Sequence, residues 1–429
     1  MKIYLDSVGC RLNQSELETY ARQFRAAGHK LVETPTAADI AIINTCTVTA
    51  AADSDSRQKI RQAARAGVKD VFVTGCWSSL YPDKALDLSG VSRVIHNLEK
   101  ENLVSEILQI PIENFDLEPI ARRPIPGARA RTRAFIKVQD GCDNHCTFCI
   151  TTIARGKGRS RPIRAILSDI YQSMNDEQGN GVKEVVITGV HLGSWGKDLP
   201  SVSNLKQLIE IILRETDIPR LRLSSLEPWD LDEDFFTLWE NPRLCRHIHL
   251  PLQSGCKQTL RRMARKTIPK DYAHLVAIAR NICPNIAITT DIITGFPGES
   301  DVEFEASLAF VQQMDFAGGH VFTYSERPGT AAAGMPDQVH YPIRKERNAC
   351  MRTILQKSTR RYQDRFINFT IPVLWESASK INAQGWQLIG LTDNYLRVRT
   401  IDQSNLRNQI TNTRLTCIES NGLSGKVIQ

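Results

Sequence analysis

Ala134 to Cys149 reads AFIKVQDGCDNHCTFC, and this stretch decides the fold. Ala134 to Gln139 predicts a strand, broken at Gly141. Cys142, Cys146 and Cys149 then follow in the spacing C-x3-C-x2-C. Three thiolates in one tight loop suit three irons of a [4Fe–4S] cube. The fourth iron is left for a substrate, whereas ferredoxin ligation uses four cysteines. A structural zinc ion also takes four ligands, and His145 would supply the fourth, so zinc is the alternative on spacing alone.

Downstream, strand-and-helix units repeat. Val185–Thr188, Leu221–Ser224, His247–Leu250, Ile286–Ile293 and Gly319–Phe322 are predicted strands, with helices between them such as Asn204–Glu215 and Asp301–Met314. Each strand ends in Gly, Ser or a polar residue, which suggests a full or partial parallel β/α barrel. Upstream, Pro124, Pro126 and Gly127 stand among arginines and read as a linker. Before it, residues 2–6, Asp39–Ile43 and Val71–Thr74 predict strands. Helices are expected over Ser15–Ala27 and up to Ala66, an alternation that implies a second α/β sheet. Cys10, Cys46 and Cys76 each fall just after one of these strands, where ligand sites of parallel sheets lie. From about Phe366 the pattern changes to short alternating strands, Ile371–Glu376, Gln387–Leu391, Tyr395–Thr400 and Arg414–Glu419, which suits a small β-barrel. Arg397, Arg399, Arg407 and Arg414 alternate with apolar residues there. The expected organisation is an α/β multidomain chain: residues 1–115, a linker at 116–131, a barrel at 132–362 and a β-barrel at 363–429.

The 429 residues include 11 cysteines, an odd number in a chain with no secretory signal pattern and no apolar run of membrane-spanning length. A cytoplasmic location follows as an expectation, with thiols reduced and some of them metal ligands. The net charge of +7 is modest. Its distribution is uneven: Arg122, Arg123, Arg129, Arg131 and Arg133 form one cluster, and Arg155, Lys157, Arg159, Arg161 and Arg164 another. Either cluster suits phosphate or is simply a solvated basic loop.

The loop with Phe148 before its last cysteine resembles the signature of radical S-adenosylmethionine (SAM) enzymes. Val138-Gln139-Asp140-Gly141-Cys142, Ala154-Arg155-Gly156 and Ser160-Arg161 resemble the methylthiotransferase branch. So do Gly9-Cys10 with Asn13 and Glu16, Asn44-Thr45-Cys46-Thr47-Val48, and Gly75-Cys76. The resemblance implies two [4Fe–4S] clusters. Cys142, Cys146 and Cys149 would hold the one that cleaves SAM to a 5′-deoxyadenosyl radical; Cys10, Cys46 and Cys76 would hold one that carries sulfur. A second SAM donates the methyl group. No catalytic residue beyond the cluster ligands is expected. Phe148, Thr188, Gly189, Ser225, Gln253, Gly295 and Glu299 are the expected SAM-side contacts, though plain turn chemistry accounts for several of them equally well.

Within this family, Thr188-Gly189-Val190-His191-Leu192-Gly193, Arg222–Pro228 and His320–Ser325 with Arg327-Pro328-Gly329-Thr330 are similar to the group acting on N6-threonylcarbamoyladenosine 37 of tRNA. The alternatives are the sister group acting on N6-isopentenyladenosine 37, and a non-catalytic metal-binding RNA protein. Arg155 or Arg327 is the candidate for the substrate's carboxylate. The tail resembles the TRAM β-barrel, which implies a grip on the tRNA anticodon stem–loop. The implied electron donor is a flavodoxin or ferredoxin; no membrane and no stable protein partner are expected. The chain departs from the family pattern at Thr151, where Pro is expected, and at Cys256, where Ser is commoner. Cys245, Cys256, Cys283, Cys350 and Cys417 have no assigned role.

Overall fold

The amino-terminal segment alternates strand and helix as the hydrophobic pattern requires: β1 (Lys2–Ser7), α1 (Arg11–Ala26), β2 (Lys30–Val32), β3 (Ile40–Thr45), α2 (Ala50–Arg65), β4 (Asp70–Gly75), α3 (Cys76–Leu80), α4 (Pro82–Leu86), β5 (Val91–Val94) and α5 (Leu103–Leu108). This computed structural model describes residues 1–111, 132–175, 181–200, 203–381 and 385–428. The predicted linker and Arg122, Arg123, Arg129 and Arg131 lie outside those residues. The five strands form a parallel sheet in the order β2-β1-β3-β4-β5. β1, β3 and β4 are therefore neighbours, and their carboxyl ends lie side by side. One face packs Ile3, Leu5, Ile40 and Ile42 against Leu17, Tyr20, Ala21 and Phe24 of α1. The other packs Ala41, Ile43, Val71 and Val73 against Ile60 and Ala63 of α2. The edge strands β2 and β5, of three and four residues, carry too short a pattern to be predicted.

The chain divides into two compact units. The first unit comprises residues 1–144, 149–181 and 188–190; the second comprises 145–148, 182–187 and 191–429. The first thus also takes in β6 (Arg133–Lys137), β7 (Gln139–Asp140), α6 (Thr151–Arg155), β8 (Arg159–Ser160) and α7 (Ile163–Met174). The physical reason is that α1 lies along β6, with the Lys137 N–H donating to Ser15 Oγ at 3.1 Å. Arg22 of α1 also pairs with Asp169 of α7 at 2.8 Å.

The second unit holds β9 (Glu184–Thr188) except its last residue, α8 (Leu205–Glu215), β10 (Arg220–Leu223), α9 (Glu233–Phe236), β11 (His247–His249), α10 (Lys257–Arg262), α11 (Pro269–Ile282), β12 (Ala287–Thr294), α12 (Asp301–Met314), β13 (Gly318–Thr323) and α13 (Tyr341–Asp364). β10 pairs in parallel with β9, and β11, β12 and β13 form a parallel set. Single bridges, Leu221 to Leu244 and Ser225 to His249, connect the β10 and β11 segments. Capping boxes start α8 at Asn204 and α12 at Ser300.

The tail is a closed five-stranded barrel: β14 (Thr370–Lys380), β15 (Trp386–Thr392), β16 (Arg397–Asp402), β17 (Ile410–Glu419) and β18 (Gly422–Val427), in the order β14-β15-β16-β18-β17. Val373, Trp375, Leu388, Val398, Leu415 and Leu423 fill it. The fifth strand, GLSGKV, has no alternating pattern and was not among the predicted strands. The barrel sits against the amino ends of β10, β11 and β12. Arg220 donates to the carbonyl oxygens of Leu391 and Pro372. Arg246 grips the Asp393 carboxylate through two hydrogen bonds, and His247 stacks on Tyr395 with centroids 4.0 Å apart.

Candidate functional site

Cys10, Cys46 and Cys76 stand at the carboxyl ends of β1, β3 and β4, three adjacent strands. Cys10 is exposed, and Cys46 and Cys76 are buried. Two glycines allow the close approach. Gly9 has φ +99°, and a Cβ there would lie 2.5 Å from the Cys46 Cβ and Sγ; Gly75 has φ +98°, and its Cβ would meet the Thr45 carbonyl oxygen at 2.3 Å. Any side chain at either position collides with the backbone or with the Cys46 sulfur. Cys10 is the N-cap of α1; desolvation pushes its thiol up, and the Arg155 charge opposes that shift. Burial pushes the Cys46 thiol up to about 11, so the neutral thiol is favoured until a cation binds.

A buried charge network lies directly behind these thiols. Arg155, at the end of α6, is 1% exposed. Its Nε donates to Cys76 Sγ at 3.3 Å, its Nη1 to Glu16 at 3.1 Å and Asp140 at 2.9 Å, and its Nη2 to Asn13 Oδ1 at 2.7 Å. Lys100 pairs with Glu16 and Asp140 at 2.5 and 3.0 Å. Lys137 lies 3.1 Å from Glu101 and 3.5 Å from Asp140. Burial alone would raise the Glu16 carboxyl; Lys100, Arg155 and Lys137 outweigh it and bring it down to about 2. Asn13 also donates to the Val8 and Thr45 carbonyl oxygens, tying the Cys10 loop to the end of β3. Asn97 donates to Cys76 Sγ at 3.7 Å and to the Ala154 oxygen at 2.8 Å. The Asn44 Oδ1 atom is buried with no partner among the described residues.

Three thiols on three strands, served by N–H donors and a guanidinium, suit the spread anionic sulfurs of an iron–sulfur cube.

Of the C-x3-C-x2-C loop, Cys142 and Cys149 belong to the first unit and Cys146 to the second. The Cys142 N–H donates to the Gly156 oxygen at 3.0 Å. In the second unit Cys146 Sγ accepts from Arg265 at 3.8 Å. Arg265 is also held in a two-point pair with Glu227 and lies 4.4 Å over the Trp229 ring. Phe148 packs edge-on against Phe296 in a small core with Leu260, Met263 and Tyr324, so it anchors the loop from inside.

The remaining expected contacts are distributed as follows. Thr188, at the end of β9, is buried, and its carbonyl oxygen accepts from the Val138 N–H. Gly189 abuts Gln139: a Cβ there would lie 3.0 Å from Gln139 Oε1. In the second unit Ser225 follows β10 and is exposed. Gln253 has φ +70° and bonds through its backbone to Asp291 and Ile293 of β12. Gly295 follows β12, also at φ +70°. Glu299 lies at the end of the same turn. Its carboxylate is 5% exposed, accepts from the Gly295 N–H at 2.7 Å and pairs with Arg347 at 2.9 Å, so it braces the turn from behind.

Two further expectations change. Arg155 is committed to Cys76 and two carboxylates and does not offer its charge to a substrate. Arg161 is likewise used internally, on the Lys137 oxygen and Asp169, so only Lys157, Arg159 and Arg164 of that cluster are exposed. Arg265 and Asn97 carried no sequence signal. Lys137 and Asp140 did carry one: charges inside a segment read as a buried strand need partners.

Residues 2–96 match the uncharacterized protein family UPF0004, and residues 136–311 match the radical SAM superfamily. A threonylcarbamoyladenosine tRNA methylthiotransferase of Bacillus subtilis is 34% identical over 403 residues, covering 91% of this chain and 88% of the relative. One from Thermotoga maritima is 35% identical over 382 residues, covering 87% and 86%. A tRNA-2-methylthio-N6-dimethylallyladenosine synthase of Geobacillus kaustophilus is 29% identical over 446 residues, covering 100% and 82%. Among solved structures, a radical SAM methyltransferase of Kitasatospora setae with tryptophan and a SAM analogue bound superposes with a TM-score of 0.60, at 16% identity over 77% of this chain and 75% of that one. That likeness is one of fold.

Proposed function

This chain belongs to the tRNA methylthiotransferase family of radical SAM enzymes, and on that premise we propose that it places a methylthio group on C2 of N6-threonylcarbamoyladenosine 37 of tRNA. The observation that carries the choice of substrate is the pattern of identity. Relatives named for threonylcarbamoyladenosine match at 32 to 35%, against 29 to 30% for those named dimethylallyladenosine synthases.

In this reading Cys10, Cys46 and Cys76 hold one [4Fe–4S] cluster, and Cys142, Cys146 and Cys149 hold the other. When bound, the clusters and SAM supply the sulfur, the methyl group and the radical chemistry. The protein's share is placement. Thr188, Gly189, Ser225, Gln253 and Gly295 present backbone and small side chains to SAM, and Phe148 and Glu299 fix the loop and turn behind them. Arg327, on the loop after β13, is the cation assigned to the substrate carboxylate, a bidentate match in shape. The barrel grips the anticodon stem–loop through phosphates. A flavodoxin or ferredoxin supplies electrons, the protein works in the cytoplasm, and it needs no stable protein partner. Among the described residues no helix is long and apolar enough to cross a membrane.

Nucleoside mass spectrometry of tRNA from a deletion strain tests the substrate. The methylthio form of threonylcarbamoyladenosine should vanish and return with this gene. Loss of the methylthio isopentenyl form instead would transfer the assignment to the sister activity.

A further inference from the structure

We propose that Arg155 is a positioning residue that raises the reduction potential of the cluster held by Cys10, Cys46 and Cys76, its charge serving the cluster sulfurs. This rests on the reading of those three cysteines as cluster ligands.

The partners of the Arg155 guanidinium carry the argument. Behind the thiols lie two buried carboxylates, Glu16 and Asp140, and three buried cations, Lys100, Lys137 and Arg155. The third acid, Glu101, pairs with Lys137 at 3.1 Å, so three acids meet three cations. The two terminal nitrogens of Arg155 are used on Glu16, Asp140 and Asn13. Its Nε is aimed at sulfur: it donates to Cys76 Sγ at 3.3 Å, with the Asn97 amide donating to the same sulfur at 3.7 Å. Positive charge and N–H donors at the sulfurs favour the more negative, reduced state of an iron–sulfur cluster, which raises its potential.

The guanidinium cannot swing away. Glu16 and Asp140 hold its Nη1 and Asn13 its Nη2, and Asn13 Oδ1 also lies 3.7 Å from Cys10 Sγ. Arg155 is also joined directly to the other ligand loop. The next residue, Gly156, accepts the Cys142 N–H at 3.0 Å. Two consecutive residues thus touch one cysteine of each trio, so the electrostatic set of one cluster is built on the same short turn that shapes the loop of the other.

The test uses the full chain carrying Cys142→Ala, Cys146→Ala and Cys149→Ala, so that the only cluster signal comes from the amino-terminal trio. Iron analysis of that protein comes first. About four irons per chain are expected; none would overturn the ligand reading and the inference together. The midpoint potential is then measured by redox titration followed by electron paramagnetic resonance. Arg155→Gln should lower the equilibrium constant for reduction tenfold or more, which is about 59 mV for a one-electron couple. Arg155→Lys, which keeps the charge, should stay closer to the parent. Glu16→Gln removes a compensating anion and should shift the potential upward. An iron-loaded Arg155→Gln protein with the parent potential overturns the proposal, with the ligand reading left standing. If Arg155→Gln does not retain iron, Glu16→Gln decides: an unchanged or lowered potential overturns the proposal.

Discussion

Arg222 and Glu184 form a two-point ion pair with no solvent exposure on either side chain, Nε to Oε1 at 2.7 Å and Nη2 to Oε2 at 3.1 Å. The same guanidinium donates to the carbonyl oxygens of Thr392 and Asp393 in the β15–β16 turn. One buried cation thus ties β9 and β10 to the carboxy-terminal barrel. The barrel is seated on the β/α framework by backbone acceptors that only a fork of donors can satisfy together.

Removing one partner of this pair leaves a buried, uncompensated charge. Arg222→Leu should cost about 3–5 kcal/mol. Arg222→Leu with Glu184→Leu should recover part of that loss, since the orphaned acid is gone. Urea unfolding followed by tryptophan fluorescence measures both; a single variant as stable as the parent contradicts the prediction.

Docking of the barrel should weaken in acid. Burial by itself would raise the Asp393 carboxyl, but the hydrogen bonds and charge of Arg246, with Arg220 and Arg222, hold it below its usual range. A carboxyl lowered on folding contributes stability above its unfolded value of about 3.9, and loses it as pH falls through the folded value. Asp393→Asn should therefore cost about 1.5–3 kcal/mol at pH 7 and flatten the decline of stability below pH 4. A wild-type slope in that variant would count against the assignment.

The two thiol trios should separate by chemistry. Anaerobically purified protein should be brown and contain about eight irons per chain. Cys10→Ala should abolish methylthiolation while SAM cleavage to 5′-deoxyadenosine continues. Cys146→Ala should abolish both. Colourless protein containing zinc would return the reading to a metal-binding RNA protein.

Gly9→Ala should act like the loss of a ligand. A Cβ at Gly9 would lie 2.5 Å from Cys46 Sγ, and φ +99° is already strained for any other residue. About half of the iron should be missing from this variant while SAM cleavage survives. Full iron content would show that the loop relaxes around the methyl group.

The barrel's exposed arginines should govern tRNA affinity. Arg397 and Arg414 are exposed on β16 and β17. Replacing either with Ser should weaken binding of unmodified and modified tRNA alike and reduce the salt slope by about 1. An unchanged slope in filter binding across salt concentrations would place the contact elsewhere.

Much of this was legible in the residues. The hydrophobic period placed β1, β3, β4 and the six central strands within a few positions, because long apolar strands carry their own signal. The C-x3-C-x2-C spacing could be read as a candidate trio because all three cysteines lie in one loop. Cys10, Cys46 and Cys76 could each be placed after a strand, but only the sheet order β2-β1-β3-β4-β5 makes those three strands neighbours.

The amino-acid sequence by itself determined which thiols are available and at which strand ends they stand, since periodicity and turn chemistry are local. Only the tertiary structure decided what surrounds them. Arg155 read as one more member of a basic loop, and folding buries it against Cys76, Glu16 and Asp140. Those partners lie up to 139 residues away along the chain. Their convergence depends on how the sheet, α1 and α6 pack, and no local pattern encodes the burial that gives such a charge its strength.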